Sequence, residues 1–228
     1  MPVARFVKYL KIILNEAGRA HQNLVPDEVR ATSNYYLPDA MRLISDRYGF
    51  SQTPSIEDMK TTGGVFKDGR LVSGTKKINI AEIGMFNDGI YALAQDTTAA
   101  DFIVDDLITW AEQAIGLRPS ITKIPRKYDN AVVVEFEGNI EGRLDIFNEM
   151  ISSYSGMLTS LYNETVSVSL YQIGFAFESL DVKLAINTKF TVVRRYGLPF
   201  SSNRYYCIAP LKTEMHIDLL EKFEKALS

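Results

Sequence analysis

From Met150 to Asn163 the chain carries no charged residue. No other stretch constrains the fold as strongly. Leu144, Phe147, Ile151, Tyr154, Leu158 and Leu161 are spaced 3, 4, 3, 4 and 3 residues apart, the repeat of a helical seam, and Met150 and Met157 widen it. The other positions carry Ser152, Ser153, Ser155, Thr159 and Ser160. A helix surface in water normally carries Lys, Glu or Arg, whereas small hydroxyl side chains allow another element to approach closely. The pattern predicts a helix over 142–162 that is covered on both sides. One neighbour would be the chain's own sheet. The other would be a protein surface, with the same helix of a second subunit across a twofold axis as the simplest case. Met150, Ser153, Met157 and Ser160 are the expected contact residues.

The surroundings read as strands and turns. "GVFKDGRLV" divides around Asp68-Gly69 and "INIAEIGMFNDGIYALAQ" around Asp88-Gly89; an Asp-Gly pair between β-type runs favours the positive φ angles of tight hairpins. A helix capped by Thr97 or Thr98 is expected to run to about Gly116, with Phe102, Ile103, Leu107, Trp110, Ala111 and Ala114 laid across a sheet. Val132-Val133-Val134 implies a strand buried on both faces. After the seam helix, Val166, Val168 and Leu170 share one parity and Ile173, Phe175 and Phe177 the other, so a bulge or bend is expected near Gln172 to Gly174. "TKFTVVRRYG" and "NRYYCIA" are further strands, and "TEMHIDLLEKFEKAL" is a terminal helix.

At the start, Val3, Phe6, Val7, Leu10, Ile13, Leu14 and Ala17 recur at helical spacing and Gly18 offers a stop. A second helix follows from about Pro38 to Tyr48, closed by Gly49. Residues 22–36 are polar and irregular, and "SQTPSIEDMKTTGG" reads as a connecting loop that bends into a strand. The expectation is an α+β fold: a mainly antiparallel sheet with a β-meander, covered by helices, plus an N-terminal helical segment. Residues 1–60 would be that segment, packed on a single domain of 61–228. No internal repeat is legible.

Composition narrows the function classes. Apolar residues are 46% and charged residues 23% of the 228, an ordinary globular balance. A net charge of −3 disfavours a broad nucleic-acid footprint. Cys207 is the only cysteine, so no internal disulfide forms and a reducing, cytoplasmic setting is the default. No apolar run is long enough for a membrane span.

Five constellations carry possible chemistry. Arg194, Arg195 and Arg204, with Ser202 and Asn203 around Gly197-Leu198-Pro199, could gather guanidinium forks on a phosphate, although successive strand residues point to opposite faces. His216 would need an orienting carboxylate and a nucleophile, Cys207 or Ser201, which no spacing supplies; Thr213 as a helix cap explains the region without chemistry. Cys207 itself reads as a small core residue. Asp101, Asp105 and Glu112 lie along one helix and could hold magnesium, but such a row is commonly a wet helix face. Lys123, Arg126 and Lys127 beside Tyr128 could hold a single strand by stacking. None of these has the spacing of a metal, cofactor or catalytic motif, so the expectation is no cofactor and no metal. The sequence favours a non-catalytic protein that works through protein contacts, as a homo-oligomer or an assembly subunit. The second reading is an enzyme or binder of a phosphorylated small molecule through the arginines.

Overall fold

The N-terminal residues are strand rather than helix. In the computed structural model, β1 (Phe6–Val7) folds back on β2 (Leu10–Asn23), and β2 is hydrogen-bonded along both edges, to β5 (Gly89–Ala94) and to β6 (Lys127–Phe136). The pairing with β6 slips register between Ile12 and Leu14 and again between Asn15 and Ala17. These slips break the two-residue alternation that marks a strand, which is why the apolar residues mimic helical spacing. The helix expected from Val3 to Ala17 is thereby corrected: residues 10–23 are a middle strand of the sheet, and the helical part of the first 60 residues begins at Leu37. The structure describes residues 6–7, 10–23, 37–86, 89–115, 126–138, 140, 143, 147–176, 189–195, 197–199 and 202–227; most of the irregular stretch 22–36 lies outside them.

The remaining elements are α1 (Leu37–Tyr48), α2 (Ile56–Thr61), β3 (Gly64–Ser73), β4 (Lys76–Phe86), α3 (Thr97–Ile115), α4 (Asn148–Tyr162), β7 (Gln172–Ala176), β8 (Lys189–Arg194), β9 (Arg204–Ala209) and α5 (Thr213–Ala226). All strand pairs are antiparallel, in the order β3-β4-β5-β2-β6-β9-β8-β7. Three strands on one side and four on the other meet through β2, and the fold is α+β.

Two local expectations change. Asp68-Gly69 is not a hairpin: β3 runs through it, with Asp68 at φ 55° and hydrogen-bonded to Ser51 and Gln52. The turn lies at Gly74-Thr75, where Ser73 pairs with Lys76 and Gly74 takes φ 58°. The second hairpin does fall where Asp88-Gly89 predicts, with Phe86 opposite Gly89. The supposed loop at 51–64 contains α2, nucleated by a capping box. The Ser55 hydroxyl accepts from the Asp58 amide at 3.0 Å, and the Asp58 carboxylate accepts from the Ser55 amide at 3.3 Å. β6 starts four residues earlier than the Ala131 onset read from the sequence, and Val132, Val133 and Val134 are buried.

The order of elements repeats. β2 leads through α1 and α2 to the β3-β4-β5 meander and α3; β6 leads through α4 to the β7-β8-β9 meander and α5. Each half has its own buried cluster, one around Phe66, Ile83, Ile103 and Leu107, the other around Val134, Phe190, Val192 and Leu220. Gly18 pairs with Ala94 on one side and Asn130 on the other, while Asn130 pairs with Ala209. Gly18 and Asn130 are therefore both partners and counterparts, and a pseudo-twofold axis passes between them. The echo is faint in sequence: Tyr91-Ala92-Leu93-Ala94 and Tyr206-Cys207-Ile208-Ala209 lead to the two helices across two and three residues respectively.

At the axis the two helices lock head to head. The Thr97 amide donates to the Thr213 hydroxyl at 3.1 Å, and the Thr213 amide donates to the Thr97 hydroxyl at 2.8 Å. Asp96, not a threonine, caps α3, accepting from the Ala99 amide at 2.7 Å; Lys212 precedes α5 without a side-chain cap. The Asn130 amide donates to the Thr213 hydroxyl at 3.0 Å, and its carbonyl lies 2.7 Å from His216 Nδ1. All four side chains are buried. A methyl group on Gly18 would sit 2.1 Å from the Asp96 carbonyl carbon, so only glycine lets α3 start this close to β2. Thr213→Val keeps the shape but removes the buried hydroxyl that accepts from the Thr97 amide and the Asn130 amide. We expect it to lower unfolding stability by about 2–4 kcal/mol, measured by urea titration; a change under about 0.5 kcal/mol would contradict the arrangement.

Candidate functional site

Strand geometry sets Arg194 apart from the other two arginines. Arg194 and Arg195 leave β8 on opposite faces: Arg194 is buried with its guanidinium 5.5 Å from the Tyr205 ring, and Arg195 lies 6.0 Å from the Tyr206 ring. Arg204 donates from Nε to Glu135 at 3.0 Å. Asn203, at φ 49°, donates to the Phe136 and Gly138 carbonyls, and Ser202 donates to the Pro199 carbonyl at 2.8 Å. The turn thus uses Ser202 and Asn203 to hold its own backbone; Arg194 faces away from Arg195, whose amide donates to the Arg204 carbonyl at 3.0 Å across the two strands. Ser201 lies outside the described residues.

His216 is equally occupied with structure. Its Nδ1 faces the Asn130 carbonyl, its ring meets Phe190 edge-on at 5.9 Å, and Nε2 is buried without a hydrogen-bond partner among the described residues. Burial lowers its pKa from 6.5 to about 4. Cys207 is fully buried on β9, which pushes its thiol well above the ordinary range and leaves it inert.

The acidic row and the basic loop neutralise each other. Arg126 reaches Asp101 at 2.9 Å and also pairs with Asp105; Lys212 reaches Asp101 at 3.0 Å, and the Tyr128 hydroxyl donates to the same carboxylate at 3.2 Å. Glu112 is exposed farther along α3. Asp101 and Asp105 of the acidic row and Arg126 and Tyr128 of the basic loop thus form one network with Lys212. Lys123 lies outside the described residues.

What remains open is α4. None of its residues is buried. Met150, Ser153, Met157 and Ser160, the expected contact residues, all lie on exposed positions, as do Tyr154, Leu161 and Tyr162. The expected cover on both sides is not found. The seam splits: Phe147, Ile151 and Leu158 are half-covered, as are Ser155 and Thr159, which face the chain that follows, whereas Tyr154 and Leu161 are exposed. The Ser155 hydroxyl donates to the Val166 carbonyl, and the Val166 amide donates to the Thr159 hydroxyl at 3.1 Å. Leu144 lies outside the described residues.

That following chain, residues 165–171, is extended but unpaired over most of its length, with Val166, Val168 and Leu170 half-covered and their neighbours exposed. It joins the sheet at Tyr171, whose carbonyl accepts from the Arg194 amide at 3.0 Å. The expected change of parity near Gln172 is thus the onset of the edge strand β7. Between α4 and this segment lies a groove of about 410 Å³ lined by Met150, Tyr154, Met157, Val168, Leu170 and Tyr171. Phe175, on β7, is exposed and stacked on Phe190 at 5.9 Å. Tyr171 and Phe175 were not singled out from the sequence; Phe175 read there as one side of a continuous strand.

The chain matches no protein-family model and no curated protein. Among the described residues, no helix is long and apolar enough to cross a membrane.

Because His216 is neutral in the folded chain and its unfolded pKa is near 6.5, the unfolded state binds the extra proton first as pH falls. Stability is therefore lost between about pH 6.5 and about pH 4 and levels off below, with a slope approaching about 1.4 kcal/mol per pH unit. Parent and His216→Gln should be unfolded in urea across this window. We expect the parent's stability relative to the variant to shrink as pH falls; a pH-independent difference would show that His216 is not held neutral.

Proposed function

We infer that this protein acts through protein–protein contacts and self-associates through α4. The observation that carries the reading is a helix with no buried residue and no charge after Glu149 in its first turn, whose Met150, Met157 and Leu161 are 61, 66 and 72% exposed. Single exposed apolar side chains are ordinary, but a contiguous apolar strip along an uncharged run of helix marks an interaction surface. The groove beside it extends the strip to Tyr171. Ser153 and Ser160 lie three residues after Met150 and Met157 and give a partner close approach without a charge to bury.

Association through this face, with no chemistry at it, fits a homo-oligomer or a subunit of a larger assembly. Light scattering after size exclusion should give the parent a whole multiple of 25.7 kDa. Ser153→Glu/Ser160→Glu should reduce the mass to a single chain and leave the thermal midpoint of the monomer unchanged, since both positions are exposed. A double variant that keeps the parent's mass would contradict this function.

A further inference from the structure

The pseudo-twofold axis identifies what α4 is missing. In the first half, α1 closes over α3 and the outer strand: Met41, Ile44 and Tyr48 share one buried cluster with Ala99, Ile103 and Phe66. The Tyr48 hydroxyl and the Arg47 guanidinium both donate to Asp106 of α3. In the second half, α4 occupies the same place in the order of elements, yet the buried cluster there contains no α4 residue.

The counterparts are fixed by pairing. Thr97 and Thr213 start the two helices, so positions 99 and 103 of α3 correspond to 215 and 219 of α5. Ala99 and Ile103 are 7 and 0% exposed; Met215 and Leu219 are 55 and 36%. The sheet-facing counterparts stay covered in both halves: Ala100 and Val104 in one, His216 and Leu220 in the other. Only the stripe that α1 covers is bare on α5. The outer strands agree. Phe66 lies on a rung with Ile83 and Ala92 and is buried. Its counterpart Ile173, on the rung with Val192 and Cys207, is half-exposed, with Phe175 beside it open to solvent.

The second half thus offers an acceptor site for one amphipathic helix, made of Met215, Leu219, Ile173 and Phe175, and α4 is an amphipathic helix without a cover. Tyr154, Met157 and Leu161 on α4 repeat the 3,4 spacing of Met41, Ile44 and Tyr48 on α1. We propose that α4 of one copy docks on the α5/β7 acceptor of a second copy, reciprocally, as α1 docks on α3 within the chain. This rests on the reading of α4 as the self-association element and adds the surface that receives it. The area is adequate. Met150, Tyr154, Met157 and Leu161 on α4 and Phe175, Met215 and Leu219 on the acceptor are seven large side chains, each at least a third exposed. At on the order of 100 Å² of open surface each, one copy offers about 700 Å², close to the roughly 800 Å² per partner of a standard interface. Exchange of identical elements also closes the assembly at two copies.

Two exposed-surface variants test it by complementation, with mass measured by light scattering. One carries Met157→Glu/Leu161→Glu on the donor helix and the other Met215→Glu/Leu219→Glu on the acceptor. In a reciprocal exchange each variant alone has both contacts damaged and runs as a monomer. Mixed, the intact α4 of the acceptor variant meets the intact acceptor of the donor variant, and a heterodimer reappears through one contact. An acceptor variant that stays dimeric, or a mixture that does not recover dimers, overturns the acceptor site while α4 remains the association element. A donor variant that keeps the parent's mass, or a monomeric parent, overturns the role of α4 itself.

Discussion

The reciprocal contact between Thr97 and Thr213 is the constraint on which the remaining geometry depends. Each hydroxyl accepts the amide that begins the other helix, so two helix starts that would otherwise bury unpaired donors satisfy each other. The contact requires α3 and α5 to meet above the pair Gly18–Asn130. It also requires β2 and β6 to be neighbours, since those strands carry that pair. A buried network of this kind adds little net stability when complete but is costly to break. Its main consequence is therefore geometric: it fixes the register of one half against the other.

The two sides of that axis are not filled alike. Gly18 leaves room for the backbone at Asp96 and Thr97, whereas its counterpart Asn130 fills the space and ties Thr213 to His216. A further difference lies farther out. α1 is sealed to α3 by apolar packing and by its bonds to Asp106, while α4 is tied to the segment after it through Ser155 and Thr159 and buries none of its residues. A fold built from two equivalent halves, one of which leaves Phe175, Met215 and Leu219 exposed, has a reason to associate that a single irregular domain would not have.

Much of the fold was legible in local chemistry. Pro38 to Gly49, the hairpin between Phe86 and Gly89, the valine run of β6 and the last two strands all follow from turn residues and periodicity. The exceptions have physical causes. β2 read as a helix because its register slips break the alternation, and pairing on both edges outweighs local spacing. Asp68-Gly69 read as a turn because its positive φ is real, although it serves a bridge between the strand and Gln52. The repeat escaped notice because the links to α3 and α5 differ by one residue and few identities survive. The absence of charge from Met150 onward was visible, but which side of α4 turns outward was not. That depends on Val166, whose backbone claims the Ser/Thr side. The divergence of Arg194 and Arg195 follows from strand alternation, but spacing could not reveal the tyrosines they meet, or that Arg126 joins the aspartate row.

The central claim is that α4 is the counterpart of α1 with its cover supplied by a second copy. Amide hydrogen exchange on the native chain, followed for α1 and α4 over a wide range of protein concentration, tests it directly. The account predicts α1 amides protected at every concentration and α4 amides whose protection rises as the protein is concentrated. Exchange in α4 that is independent of concentration, whether fast or slow, would contradict it.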